Sequence, residues 1–186
     1  MQNKKFNLNS SPLPMGSYLV DTNVLLYMYE PNQVKNDPGY NDLLMPKTVN
    51  SSWEFFINSH IISEFINSFV RNSYNAYLKI NGIIPDDRSY FKRIYRKTDS
   101  FESTYNIALN IVKEEILIQF KLTDELTTNS IKTSLTTDCG DFNDQLIINS
   151  ALQNNLNIIT NDRDYLATKA IHSDYPQIFS FQTFFK

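Results

Sequence analysis

Two short apolar runs, each closed by an acidic residue, constrain this chain more than anything else in it. Tyr18-Leu19-Val20 stops at Asp21, and Asn157-Ile158-Ile159-Thr160 stops at Asn161-Asp162. A continuous apolar run with a polar residue at its end reads as a parallel strand covered on both faces. Between and around these runs the periodicity becomes helical. Val24–Tyr29 reads as a helix stopped by Glu30-Pro31-Asn32. Residues 32–53 read as irregular or weakly helical. Phe55–Asn58 is a second strand, followed by a helix from about Ile61 to Ile80. That helix keeps Ile62, Phe65, Ile66, Phe69, Val70 and Tyr74 at i, i+3, i+4 spacing and ends at Asn81-Gly82. Phe101–Leu126 is a long amphipathic helix. Residues 127–141 are a loop with a short strand at 131–135. A helix over 144–154, a short helix over 165–170 and a last strand at 177–181 complete the series. Strands alternating with helices predict a three-layer α/β/α sandwich with a central parallel sheet of four to five strands and right-handed crossovers. Residues 1–16 read as a polar tail. Residues 17–186 read as one domain, with a basic inserted segment at about 83–100.

Composition narrows the classes. Hydrophobic residues make up 41% and charged residues 20%, which excludes a disordered chain. No apolar run approaches the ~18 residues of a membrane helix, so no membrane partner is expected. Lys4 and Lys5 are followed by Asn7, Asn9, Ser10 and Ser11 rather than an apolar stretch, which predicts a cytoplasmic protein. Cys139 is alone and closes no disulfide. His60 and His172 have no ligand-like spacing. Four glycines form neither GxGxxG nor GxxxxGK[ST]. The net charge of -3 advertises no nucleic acid as a whole. A local patch differs: Arg88, Lys92, Arg93, Arg96 and Lys97 are interleaved with Tyr90, Phe91 and Tyr95. Such a segment can bind phosphates and stack on unpaired bases, or be a solvated face with its aromatics turned inward.

In open parallel sheets, ligands bind beyond the carboxyl ends of the strands. Asp21 and Asp162 would share that rim. Glu64, at the start of the helix after the second strand, and Asp144, in the first turn of the helix before Thr160, would approach it. Crowded carboxylates repel, and a hard divalent cation offsets the repulsion. Oxygen ligands suit one or two Mg²⁺ or Mn²⁺ ions and metal-assisted hydrolysis of a phosphodiester. Plainer roles exist for each acid. Asp21 can cap the helix near Val24, and Glu64 can complement a helix dipole. Asp141 stands three residues before Asp144, and Asp164 two after Asp162. Either neighbour can be an auxiliary ligand or a helix cap.

The stretch YLVDTNVLLYMYE resembles the opening motif of PIN-domain nucleases. INSHIISEF resembles the segment that bears their glutamate. FNDQLIINSALQNNLNIITNDRDY resembles their D-x-x-I-x-x-x-A helix and the strand ending in T-x-D, and PQIFSFQTFF resembles their last strand. The motifs occur in order from residue 17 to 184. The resemblance implies a Mg²⁺- or Mn²⁺-dependent ribonuclease that leaves a 5′-phosphate and a 3′-hydroxyl. It also implies a role akin to toxins of the virulence-associated protein C kind, with an antitoxin partner and a homodimer. Asp21, Glu64, Asp144 and Asp162 match the four acidic positions. Thr22, Asn23 and Thr160 match polar positions that orient them. A nuclease of RNA processing or defence, and a silent binding scaffold, are the alternatives.

Overall fold

The computed structural model describes residues 5–123, 127–135, 142–167 and 175–182. Cys139, Asp141 and His172 lie outside the described residues. Six strands form one sheet: β1 (Lys5–Asn7), β2 (Gly16–Val20), β3 (Trp53–Ile57), β4 (Lys121–Leu122), β5 (Asn157–Ile159) and β6 (Ile178–Ser180). Their order is β1-β6-β5-β2-β3-β4, and every pair is parallel. Helices α1 (Thr22–Tyr29), α2 (Pro31–Val34), α3 (Tyr40–Thr48), α4 (Ser59–Ile80), α5 (Tyr90–Arg93) and α6 (Asp99–Ile111) precede β4. After α6, a π-helical turn (Val112–Ile116) and α7 (Leu117–Gln119) lead to β4. α8 (Thr128–Ser134), α9 (Phe142–Gln153) and α10 (Asp164–Ala167) follow it. No helix among the described residues is long and apolar enough to cross a membrane.

The layers follow from the sequence. Tyr18, Leu19 and Val20 are all buried, as a strand covered on both faces requires. Tyr18 meets Phe179 of β6 edge-on at 5.4 Å, and Phe6 of β1 stacks on Phe179 at 4.9 Å. α4 buries Ile61, Phe65, Phe69 and Val70 on one stripe.

The fold is the expected parallel sandwich, and four details change. Its sheet has six strands, because two very short edge strands, which escape any periodicity argument, join it. One of them, Lys5–Asn7, comes from the segment expected to be a tail and pairs with Ile178–Ser180. The other, Lys121–Leu122, ends the expected helix early, where Phe120 turns extended to pair the chain with β3. The strand expected at 131–135 does not form, and residues 131–134 belong to α8 instead. Residues 32–53 hold a well-defined helix, α3. Asp37 initiates it by accepting hydrogen bonds from the backbone of Tyr40 and Asn41, each 2.8 Å. The intervening Gly39 takes φ +127°, with Phe181 packed where a Cβ would sit.

Candidate active site

The chain leaves β2 toward β3 and β4 on one side and returns to β5 on the other. The β2/β5 boundary is therefore the topological switch point, where open sheets place their ligands. Asp21 stands there, buried, directly after β2 and as the N-cap of α1. Its Oδ1 accepts from the Thr22 backbone N–H at 2.7 Å. Its Oδ2 accepts from the Asn23 side-chain amide at 2.8 Å and from the Thr160 hydroxyl at 2.6 Å. A carboxylate offers about four lone-pair sites. Three are taken, and one remains for a further donor or a cation.

These donors are themselves fixed. The Thr160 hydroxyl accepts from the Asp162 backbone N–H at 2.9 Å, so its own proton points at Asp21. The Asn23 side-chain oxygen accepts from the Asn161 backbone at 2.7 Å, which ties α1 to the end of β5. The Thr22 hydroxyl donates to Glu64 Oε2 at 2.9 Å. Thr22 thus holds Asp21 through its backbone and Glu64 through its side chain. The capping expectation for Asp21 and the site expectation describe one residue doing both.

Burial pushes the Asp21 carboxyl up to about 7. The Thr160 hydrogen bond opposes the rise, and the charges of Glu64 and Asp162 add to it. Asp144 lies half-buried in the first turn of α9. Tyr165 is buried near the start of α10. Its hydroxyl is held well above the ordinary tyrosine range by burial first, then by Asp21, Asp144, Glu64 and Asp162. The charges of all four acids thus act on the Tyr165 hydroxyl. Among the described residues, however, no three acidic, histidine or cysteine side chains stand close enough to enclose an ion as they are placed.

Two expectations are refined. Glu64 is not at the start of its helix. α4 begins at Ser59, capped by Asn58, which puts Glu64 in the second turn. The dipole effect falls off within the first turn, so that role weakens. Asp162 stands just ahead of α10, where its Oδ1 accepts from the Asp164 backbone N–H at 2.9 Å, and Asp164 is exposed in the first turn of that helix.

Sequence reasoning missed Tyr40 and the position of Tyr165. The buried Tyr40 hydroxyl lies 2.9 Å from the Thr160 carbonyl and 3.0 Å from Asn161 Oδ1, as donor, and accepts from Phe181 N–H at 3.2 Å. It locks the strand end that carries Thr160. Its partners lie more than a hundred residues away, so no local pattern announces it. Tyr40→Phe should cost about 1–3 kcal/mol of stability, since it leaves buried backbone groups unpaired. Urea unfolding of the variant at neutral pH measures this.

A family profile described as "PIN domain" matches residues 18–171. None of the curated proteins compared with the chain matches it in sequence. Two solved structures are similar. A chain of VapBC2 from Rickettsia felis, crystallised with a promoter DNA fragment, is 18% identical, with a TM-score of 0.49. The match covers 90% of this chain and all of that one. A chain of FitAcB from Neisseria gonorrhoeae is 14% identical, with a TM-score of 0.50, over 87% of this chain and 96% of that one. At 14% identity the likeness to the second concerns the fold alone.

Proposed function

The chain belongs to the PIN-domain family, a family of nucleases, and from that premise we propose that it is a divalent-metal-dependent endoribonuclease. One observation carries the reading. Asp21 is a buried carboxylate at the switch point, held by three donors and pressed upon by Glu64 and Asp162. That arrangement is costly without a counter-charge and suits a hard cation, because every candidate ligand atom is an oxygen.

Asp21, Glu64, Asp144 and Asp162 would hold one or two Mg²⁺ or Mn²⁺ ions. Bound there, the metal supplies Lewis-acid polarisation of the scissile phosphate and lowers the pKa of an attacking water. The chain's own residues do the positioning. Thr22, Asn23 and Thr160 fix both oxygens of Asp21, leaving one acceptor site directed away from them. Thr22 sets the spacing between Asp21 and Glu64. Near neutral pH that acceptor site holds either a proton or a cation, so protons and metal compete for Asp21. Asp141 and Asp164 are auxiliary acids in this proposal. A toxin role, with an antitoxin that blocks cleavage and a homodimeric assembly, is the biological setting that the resemblance to virulence-associated protein C nucleases suggests.

The test is cleavage of an RNA and single-stranded DNA panel by the purified protein in Mg²⁺, Mn²⁺ or chelator. RNA cut internally only with metal, leaving 5′-phosphate ends, is the expected result. Equal cutting in chelator would overturn the metal's role, and preference for DNA would overturn the substrate.

A further inference from the structure

Away from the acidic rim, a cleft of about 790 Å³ opens between α4 and α5, with Arg71, Tyr74 and Asn75 on one wall and Arg88, Phe91 and Lys92 on the other. That volume suits a small-molecule-sized group such as a nucleotide. We propose that this cleft holds a stretch of single-stranded RNA, its cations on phosphates and its aromatic rings against an unpaired base. The inference rests on the ribonuclease reading and adds where the substrate strand lies.

Three observations carry it. The first is charge without partners. Arg71, Arg88 and Lys92 are exposed, and among the described residues none of them forms an ion pair. The remaining basic residues of the segment are otherwise engaged or placed. Arg93 binds Asp86 at 2.6 Å, Arg96 lies over Phe91 and Phe101, and Lys97 does not line the cleft. The one acid in the wall, Asp87, accepts a 2.6 Å hydrogen bond from the Ser89 backbone.

The second is the aromatic wall. Tyr95 is fully buried and packs on Tyr74, Tyr77, Phe91 and Phe101, forming a base for the wall. Phe91 and Tyr74 are only half-buried and meet edge-on at 5.1 Å, with Arg71 over the Phe91 ring at 6.0 Å. Rings and guanidinium planes of this kind stack on unpaired bases, which duplexes do not offer.

The third is alignment. Arg71, Asn75 and Leu78 follow Glu64 by 7, 11 and 14 residues, which places all four on one stripe of α4. At ~1.5 Å per residue the cleft begins about 10 Å from Glu64 along the helix and ends about 21 Å from it. That span equals roughly three to six stacked nucleotides at ~3.4 Å each. A strand with its scissile phosphate at the acids would reach the cleft a few nucleotides away.

Binding of a short labelled single-stranded RNA by the full chain in chelator tests this without any cleavage. The Arg71→Ala/Lys92→Ala pair should weaken binding roughly tenfold and flatten the salt dependence by about 1.4 log units per log unit of salt, for two lost phosphate contacts. Lys35→Ala/Lys113→Ala removes the same charge elsewhere and should change affinity less than about twofold. Equal weakening by both pairs, no change in the cleft pair, or no binding by the parent protein overturns the proposal. If RNA binds through the cleft but is never cut, the ribonuclease reading fails and the cleft stands. If RNA is cut while the cleft pair binds like the parent, the cleft fails and the ribonuclease reading stands.

Discussion

Asp21→Asn should lower metal-dependent RNA cleavage on the order of a thousandfold, equivalent to about 4 kcal/mol of transition-state stabilisation. The substitution keeps the shape of the side chain but replaces one oxygen with an amide nitrogen. It removes the negative charge that a cation would neutralise. It also opposes donor to donor, because the two oxygens already accept from Thr22 N–H on one side and from Asn23 and Thr160 on the other. Asp42→Asn is the matched comparison. Asp42 is exposed in the first turn of α3 and belongs to no part of the acidic site, and its loss should change the rate less than about threefold. Single-turnover rates on one RNA, with circular dichroism spectra of each variant, separate lost chemistry from lost folding. Similar losses in the two variants would place the reaction away from Asp21.

The same residue sets an expected pH dependence of stability in the absence of metal. The Asp21 carboxyl rises from 3.8 to about 7 in the folded protein, first through burial. A carboxyl raised on folding binds its proton more tightly in the native state. Its stabilising share is therefore complete below about pH 4 and is lost as pH rises through about 7. Between about pH 5 and pH 8 the loss should be about 3 kcal/mol. Asp21→Asn carries no titrating group there, so its urea-unfolding free energy should lack this decline, whatever constant cost its opposed donors add at every pH. Mg²⁺ or Mn²⁺ should restore the parent at pH 8 far more than at pH 5, because the cation favours the ionised carboxylate. Parallel pH curves for parent and variant, or metal stabilisation independent of pH, would contradict this account.

How much of this was legible depended on how local the signal was. β2, β5 and α4 show in the sequence because burial marks their own residues, as continuous apolar runs in the strands and as a helical period in α4, and Asp21 and Asp162 follow as the polar ends of those strands. The edge strands at Lys5–Asn7 and Lys121–Leu122 have no period of their own. Only their sheet neighbours make them strands. α8 misleads because Ile131, Thr133 and Leu135 alternate with polar residues as a strand would. In the basic segment, charge and aromaticity were visible but direction was not. Tyr95 turns into the core and Arg93 to Asp86, while Arg71, from a helix twenty residues earlier, completes the cleft. Tyr40 and Tyr165 were opaque for the same reason. What each does is decided by residues distant in sequence that meet only at the switch point.

The proposed chemistry requires the acidic rim to bind a divalent cation. Titrating Mn²⁺ into the parent protein, Asp21→Asn and Asp162→Asn at pH 8, with the free ion followed by electron paramagnetic resonance, tests this most directly. The account predicts one or two Mn²⁺ bound by the parent, weakened at least roughly tenfold in each variant. Mn²⁺ bound equally by all three proteins, or by none, would contradict it.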